Sequence, residues 1–190
     1  MTAKYYISAQ ELLEDSFRLG AAIIQSGFRP DFIVGVWRGG TPVGIAVQEL
    51  LEYCGIETNH FSVRTSLYDG IDSTKREVRV HGLGYLVKTL NVENSLLIVD
   101  DVFDSGRSVQ AVIQQLKDRT RRNAPHQIKV ATPWYKPNKN QTDFEPDFYL
   151  HQTDEWLVFP HEIQGLDEDE IQNGKGGLLD IIQAAQKGMQ

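Results

Sequence analysis

Residues 96–108 have the sequence Leu-Leu-Ile-Val-Asp-Asp-Val-Phe-Asp-Ser-Gly-Arg-Ser and decide the fold class of this chain. The apolar run from Ser95 to Val99 predicts a buried β-strand, since it is short, continuous and bounded by polar residues. The residues after it predict a helix over about 106–121, with an apolar stripe of Val109, Val112, Ile113 and Leu116. A buried strand that leads into a helix is the repeating unit of a parallel sheet covered by helices.

The same alternation of strand and helix extends toward both ends of the chain. Further strands are predicted over 31–36, over 57–65 with a weaker pattern, and over 128–131. We therefore predict the α/β class: a parallel sheet flanked by helices, joined by right-handed crossovers, with a small C-terminal hood.

Helix-start signals place the flanking helices. The first helix should begin at the capping box Ser8–Glu11 and end at Gly27. A second helix should take Thr41 as its cap and continue to about Gly55. A last helix is predicted over about 178–186. The expected apolar stripe of the first helix is Leu13, Phe17, Gly20 and Ile24.

The chain is predicted to be one domain, 1–190, with a core over about 5–132 and a hood and C-terminal tail over about 133–190. The segment 68–80 is polar and without period, so we expect a mobile loop that serves as a lid or is merely disordered. The acidic run 167–170 is expected to be solvated surface.

Composition excludes several classes of protein. The net charge of −7 makes binding to a nucleic-acid backbone improbable, so no nucleic-acid partner is expected. No stretch has the roughly 18 consecutive apolar residues of a spanning helix, so no membrane is expected. Met1–Tyr6 carries no apolar signal core, and the expected address is cytoplasmic. The single cysteine, Cys54, excludes an internal disulfide and is expected to pack inertly on an apolar helix.

The chemistry-bearing residues lie where the best strand ends. Asp100 and Asp101 supply hard oxygens for sugar hydroxyls or for hydrated Mg²⁺. The turn Ser105–Ser108 offers backbone N–H groups, two hydroxyls and a helix N-terminus, which together can hold a phosphate. Ligands of open α/β sheets bind at the carboxyl ends of strands. Two other interpretations exist: a plain turn, and a response-regulator receiver, for which too little chain follows the strand.

Four segments together resemble the type I phosphoribosyltransferases, in particular the 6-oxopurine branch. The acidic pair followed by Asp104-Ser-Gly-Arg-Ser108 resembles their phosphoribosyl-pyrophosphate (PRPP) motif, and Val36-Trp-Arg-Gly-Gly40 resembles their pyrophosphate loop. Ser66-Leu-Tyr68 opens a segment that is similar to their flexible loop. Lys136-Pro137 and Asp154–Pro160 resemble the purine-binding lysine and hood. The resemblance covers about 5–162, and the tail 163–190 lies beyond it.

The resemblance implies a role for each matching residue. Asp104 is the implied general base or acid at purine N7, with helix capping as the alternative. Lys136 would read O6 of the base, Trp156 would stack on it and the Leu157 backbone would contact the ring edge. The PRPP and pyrophosphate sites would comprise Asp100, Asp101, Ser105, Gly106, Arg107 and Ser108, and Trp37, Arg38, Gly39 and Gly40.

The chain departs from the family pattern at several positions. Ser105 and Ser108 stand where threonine is usual, which keeps both hydroxyls. Trp37 is bulkier than usual, Arg38 replaces the lysine of some members, and His161 stands where an aromatic residue is common. The resemblance also implies that the Trp37–Arg38 peptide can be cis.

The expected activity is Mg²⁺-dependent transfer of 5-phosphoribosyl from PRPP to hypoxanthine, guanine or xanthine in purine salvage. A homodimer or homotetramer is implied. Two alternatives stay open: a non-catalytic regulator that senses PRPP or purines, and an enzyme acting on a pyrimidine base. The sequence does not rank the three 6-oxopurines, because contacts to their 2-position come largely from backbone.

Overall fold

The computed structural model describes residues 4–69 and 76–188. The chain divides into two compact units. The larger unit is Leu13–Asp154, and the smaller unit combines the described residues before Leu13 with those after Asp154. The predicted division into core and hood was drawn near 132 and stays a prediction.

A seven-stranded sheet forms the larger unit, in the order β4-β3-β2-β5-β7-β6, with β8 on the other edge of β7. Every neighbouring pair is parallel except β3 and β4, which are antiparallel. The α/β class and the parallel sheet are therefore confirmed. The strands are β2 (Phe32–Trp37), β3 (Asn59–Asp69), β4 (Arg76–His81), β5 (Ser95–Val99), β6 (Val102–Phe103), β7 (Gln127–Tyr135) and β8 (Phe148–Gln152).

Helices cover both faces of this sheet. They are α1 (Ala9–Gln25), α2 (Gly40–Tyr53), α3 (Gly84–Thr89) and α4 (Arg107–Thr120). All five residues of β5 are buried, which explains its continuous apolar sequence. The predicted stripe of α4 is confirmed, since it packs into the main core through Val109, Val112 and Leu116, with Ile113 partly buried beside them.

The predicted stripe of α1 is wrong at Leu13 and Phe17, which are exposed, whereas Gly20 is buried as predicted and Ile24 is half-buried. The buried face is centred on Leu19 and Ile23. Asp15 shares the buried face, where its carboxylate lies 2.7 Å from Arg18 Nη1 and 2.7 Å from His151 Nε2. A buried carboxylate requires such partners, and a count of apolar residues cannot reveal them.

Two other local predictions need correction. Residues 76–80 of the expected loop form most of β4, which pairs with β3 in the register Thr65–Val80 and Leu67–Val78; residues 70–75 of that loop lie outside the described part. In residues 76–80 the apolar side chains alternate with polar ones, and this pattern matched neither a fully buried strand nor a helix. Cys54 is exposed, because it follows the last turn of α2 instead of lying within it.

The smaller unit contains a parallel pair of short strands, β1 (Lys4–Tyr6) and β9 (Trp156–Val158). It also contains α5 (Glu168–Gly174) and α6 (Leu178–Lys187). The acidic run 167–170 also has a structural role, because Asp167 and Glu170 form a capping box at the start of α5. Across the described residues, no helix combines the length and the apolar character that a membrane span requires.

Truncation of a β5 side chain should measure how much the hydrophobic core contributes to the free energy of unfolding. Leu96 is fully buried in the main cluster, so Leu96→Ala is expected to lower the free energy of unfolding by about 2–5 kcal/mol. Leu67→Ala is the matched control, because that leucine is 64% exposed and its loss should change stability by less than about 0.5 kcal/mol. Urea titration measures both, and equal losses would contradict this account of the core.

Candidate active site

The acidic pair follows β5 directly and is anchored at the centre of the sheet. The Asp100 N–H donates to the Ala131 carbonyl at 3.2 Å, which continues the pairing of β5 with β7. The Asp101 N–H donates to Asp100 Oδ1 at 3.0 Å. Burial raises the pKa of Asp100 well above its usual range, and the neighbouring Asp101 carboxylate raises it further. The pair is therefore a place where a cation or several hydroxyl donors would be favourable.

The two glycines of the 36–40 loop lie against this pair. A Cβ on Gly39 would fall 1.8 Å from Asp101 Oδ2, and one on Gly40 would fall 2.3 Å from the Val99 carbonyl oxygen. The Gly40 N–H also donates to the Asp100 carboxylate. Position 40 therefore requires glycine, because the atoms in the way belong to the backbone, whereas a side chain at position 39 would displace the Asp101 carboxylate.

The loop itself contains a cis peptide between Trp37 and Arg38, as the resemblance implied. Trp37 is 51% exposed at the end of β2. Helix α2 begins at Gly40 with Gly39 as its cap residue, so Thr41 is not the cap that the sequence predicted. A side chain at Gly39, the observed cap, would displace the Asp101 carboxylate.

The predicted phosphate turn depends on Gly106. Its φ of +73° is left-handed, and a Cβ there would lie 2.6 Å from the Phe103 ring and 2.9 Å from Thr142 Cγ2. The Ser105 carbonyl accepts from the Gln141 N–H at 3.1 Å, which fixes the other side of the turn. Helix α4 starts at Arg107, so the first N–H groups of the helix and the Ser105 and Ser108 hydroxyls share one end. Such an end favours an anion.

Asp104 and Lys136 meet because two short strand segments run in register. Val102 pairs with Trp134 and Phe103 pairs with Tyr135, so the next residue of each strand stands opposite the other. Lys136 Nζ lies 3.1 Å from Asp104 Oδ2. The lysine side chain is 7% exposed, and that of the aspartate is 44% exposed. The alternative of Asp104 as a helix cap is not observed, since Gly106 is the cap residue of α4 and no side chain caps it.

The remaining predicted residues lie apart from this group or outside its unit. Ser66 lies on β3, not in a loop, and its Oγ is 3.1 Å from His81 Nε2. Tyr68 also lies on β3, although its side chain is outside the described part. Trp156 and Leu157 belong to β9 of the smaller unit. Trp156 is 58% exposed, so it does not belong to the hydrophobic core.

Among residues 4–69 and 76–188, no three His, Cys, Asp or Glu side chains converge as a metal cluster. The predicted metal residues are two adjacent carboxylates, Asp100 and Asp101. Two hard oxygen ligands suit Mg²⁺, which usually binds one or two carboxylates and completes its shell with water and phosphate oxygens. The raised pKa of Asp100 agrees, because a cation would offset the repulsion that raises it.

The structure thus assembles the acidic pair, the glycine loop, the phosphate turn and the Asp104–Lys136 pair within the larger unit. Sequence reasoning missed the contacts that support this group: the ion pair itself, the Phe103 ring under Gly106, and the Gln141 N–H on Ser105. Only the glycine at 106 gave a signal, since a glycine after two polar residues at a helix start indicates special backbone geometry.

Residues 6–168 match the phosphoribosyl transferase domain family. The structure is similar to a purine phosphoribosyltransferase from Pyrococcus horikoshii, with a TM-score of 0.68, 25% identity, and coverage of 86% of this chain and 97% of that one. A xanthine-guanine-hypoxanthine phosphoribosyltransferase from Helicobacter pylori is similar with a TM-score of 0.64, 22% identity, and coverage of 85% of this chain and 95% of that one. No curated protein matches the sequence significantly.

A third similar structure is a hypothetical protein from Neisseria gonorrhoeae with bound ppGpp. It gives a TM-score of 0.70 at 20% identity, and the alignment covers 92% of this chain and 97% of that one. At this identity, and at that of the Helicobacter protein, the likeness establishes the fold alone.

Replacement of Gly106 tests the geometry of the turn. Gly106→Ala is expected to lower the free energy of unfolding by at least about 1–2 kcal/mol, since the left-handed conformation alone has that cost for alanine. Gly84→Ala is the matched control, because nothing lies within 4 Å of its added Cβ and its φ is not positive. Urea titration should leave the control unchanged or slightly more stable, and two equal values would refute the assigned turn.

The pKa of Asp100 predicts how stability depends on pH. The native carboxyl keeps its proton at pH values where the unfolded chain has released it, so the free energy of unfolding should fall as pH rises above about 4. Asp100→Asn removes this dependence and should be more stable than the wild-type protein at neutral pH. Urea midpoints between about pH 4 and 8 measure it, with the exposed Asp143→Asn as control. An unchanged slope in Asp100→Asn would show that Asp100 is ordinarily ionised in the native state.

Proposed function

The chain belongs to the phosphoribosyl transferase family, and we propose that it transfers the 5-phosphoribosyl group of PRPP to a 6-oxopurine base in purine salvage. The observation that carries the choice of base is the buried Lys136, whose ammonium lies 3.1 Å from Asp104 beside the phosphate turn. An ammonium donates and never accepts, so it suits a carbonyl oxygen at position 6 and opposes the amine of adenine. The purine specificity named for the Pyrococcus protein points the same way.

Substrate binding follows from the donors and carboxylates of the larger unit. The 5-phosphate would lie on the turn Ser105–Ser108, where the N-terminal N–H groups of α4 and two hydroxyls converge. The ribose hydroxyls would donate to Asp100 and Asp101. The pyrophosphate would contact Arg38 and the backbone around Gly39 and Gly40, since guanidinium and N–H groups stabilise the charge that develops on the leaving group.

The reaction forms the bond from purine N9 to the ribose anomeric carbon and breaks the bond from that carbon to the pyrophosphate oxygen. The electron pair of the broken bond leaves with the pyrophosphate. The N7 proton of the base passes to the Asp104 carboxylate as N9 attacks. Positive charge develops on the sugar, as in other glycosyl transfers, and carboxylates beside it would stabilise that charge.

We propose that Mg²⁺ binds at Asp100 and Asp101, and when bound it would neutralise charge on the pyrophosphate of PRPP. The stacking role of Trp156, the ring-edge contact of Leu157 and a closing role for the segment that Ser66 and Tyr68 begin remain predictions of the resemblance. Cytoplasmic location is likewise proposed.

The direct test supplies PRPP and Mg²⁺ with each of five bases: hypoxanthine, guanine, xanthine, adenine and uracil. Nucleotide should form with at least one 6-oxopurine and at no useful rate with adenine, since a site built for one polar group can reject its counterpart by ~10⁴-fold. Turnover of uracil alone would favour a pyrimidine enzyme. Binding of PRPP or purines without turnover of any base would favour a non-catalytic regulator.

Removal of the metal should stop the reaction. With EDTA the rate of nucleotide formation is expected to fall below detection, and Mg²⁺ in excess should restore it, because uncompensated charge on PRPP and on the acidic pair would otherwise oppose binding. Isothermal titration of PRPP with and without Mg²⁺ provides the measurement of affinity. Full activity in EDTA would overturn the metal assignment.

Replacement of the proposed proton acceptor should separate chemistry from binding. Asp104→Asn is expected to lower kcat by ~10²–10⁴ while the affinity for PRPP changes little, because the phosphate donors remain. Single-turnover kinetics and PRPP titration measure the two effects. Asp143→Asn removes an exposed carboxylate on the same unit and should leave kcat unchanged. Near-normal kcat in Asp104→Asn would remove this residue from the mechanism.

The proposed assembly is a homodimer or homotetramer. In its support, Ile45 and Tyr53 of α2 are 58% and 90% exposed, and a second copy could cover them. Sedimentation velocity measures the assembly directly.

A further inference from the structure

We infer that Lys136 has a second role besides reading the base: it positions the Asp104 carboxylate for proton transfer. This inference rests on the proposed function. Lys136 would then have two roles, recognition of the base and positioning of Asp104. Only recognition needs an oxygen at position 6 of the base, so substrates with and without that oxygen can separate the two roles.

The two partners differ in how firmly they are held. Lys136 directly follows the long strand β7, which ends at Tyr135. Its N–H donates to the Phe103 carbonyl at 2.9 Å, and its carbonyl accepts from the Lys139 N–H at 3.1 Å. Its side chain is 7% exposed. Tyr135, the residue before it, packs edge-on against the Phe103 ring with centroids 5.7 Å apart. The ammonium is therefore held by a packed and hydrogen-bonded strand end.

Asp104 has much less support of its own. It lies in the bend between β6 and Gly106, outside helix and strand, and its side chain is 44% exposed. A carboxylate in such a place can adopt several staggered rotamers. Its side chain accepts a hydrogen bond from Lys136, whose Nζ lies 3.1 Å from Oδ2. The rigid member of the pair therefore orients the more mobile one.

The pairing uses one carboxylate oxygen and leaves lone pairs for the base. Asp104 can accept from Lys136 through Oδ2 and from purine N7 through Oδ1, because a carboxylate has about four acceptor sites. Lys136 has three donors, of which the ion pair uses one, so an oxygen at position 6 can take another. Purine N7 and O6 are adjacent on the base, which suits two adjacent protein groups that are already in contact.

This arrangement predicts the effect of Lys136 on a base without any group at position 6. Unsubstituted purine cannot use the recognition by Lys136, so the effect of Lys136→Met on its kcat reports the positioning of Asp104 alone. We expect a loss of about 10²-fold in kcat, the scale on which a misplaced catalytic group costs rate, with the KM for PRPP nearly unchanged. Lys136→Arg restores a cation for the carboxylate and should recover most of that loss.

The decisive experiment is a double-mutant cycle on kcat with unsubstituted purine and PRPP. If Lys136 acts through Asp104, Lys136→Met should change kcat by less than about 2-fold in the Asp104→Asn background, because the two residues act as a unit. Lys139→Met, which removes an exposed lysine three residues away, is the matched control and should leave kcat unchanged. Thermal unfolding and PRPP titration show that each variant is folded.

Each outcome decides the inference. A large loss with purine that arginine rescues and that vanishes in Asp104→Asn supports it. A normal kcat of Lys136→Met with purine, or equal losses in both backgrounds, overturns it while leaving the proposed function in place. If the wild-type protein forms no nucleotide from any base, both the proposed function and this inference fail.

Discussion

The carboxylates of Asp100 and Asp101 lie in direct contact with the backbone of Gly39 and Gly40, and the rest of the site depends on that contact. It joins the end of β5 to the start of α2 more closely than any side chain would permit. Because β2 and β5 are neighbours and parallel, their carboxyl ends meet at one edge of the sheet. The sheet thereby places two acidic groups beside backbone N–H donors, and the proposed binding of PRPP and Mg²⁺ rests on this arrangement.

The neighbouring strand pair supplies the chemistry in the same way. β7 continues through Pro133 to Tyr135 and thus brings Lys136 opposite Asp104. β8 pairs with β7 on both sides of Pro133 but not at Pro133 itself. Proline has no N–H to donate to a neighbouring strand. The site is therefore built at successive strand ends, and each end contributes one kind of group: donors from β2, carboxylates from β5, and the ion pair from β6 and β7.

A short motif predicted much of this because it specifies its own local structure. An apolar strand, two acidic residues and a polar turn with one glycine leave few alternatives for the backbone, and Gly106 has the positive φ that such a turn needs. The stripe of α4 could be predicted equally well, since the apolar residues of its one buried face recur with the helical period. The stripe of α1 could not be predicted in this way, because Asp15 occupies the buried face. Its carboxylate is stabilised by Arg18 on the next turn and by His151, which is far away in the sequence.

By itself, the sequence determined the α/β class, the strand that leads into the acidic pair, the turn at Gly106, and the identities of the residues at the strand ends. Tertiary structure alone decided that 76–81 pair with β3, that Cys54 is exposed, and that Lys136 touches Asp104. The physical reason is the separation along the sequence between the residues that interact. Helix periods, caps and tight turns are set by residues a few positions apart. The contacts that sequence reasoning missed join residues farther apart: 15 positions for Ser66 and His81, 32 for Asp104 and Lys136, and 136 for Asp15 and His151. They depend on the packing of the whole sheet.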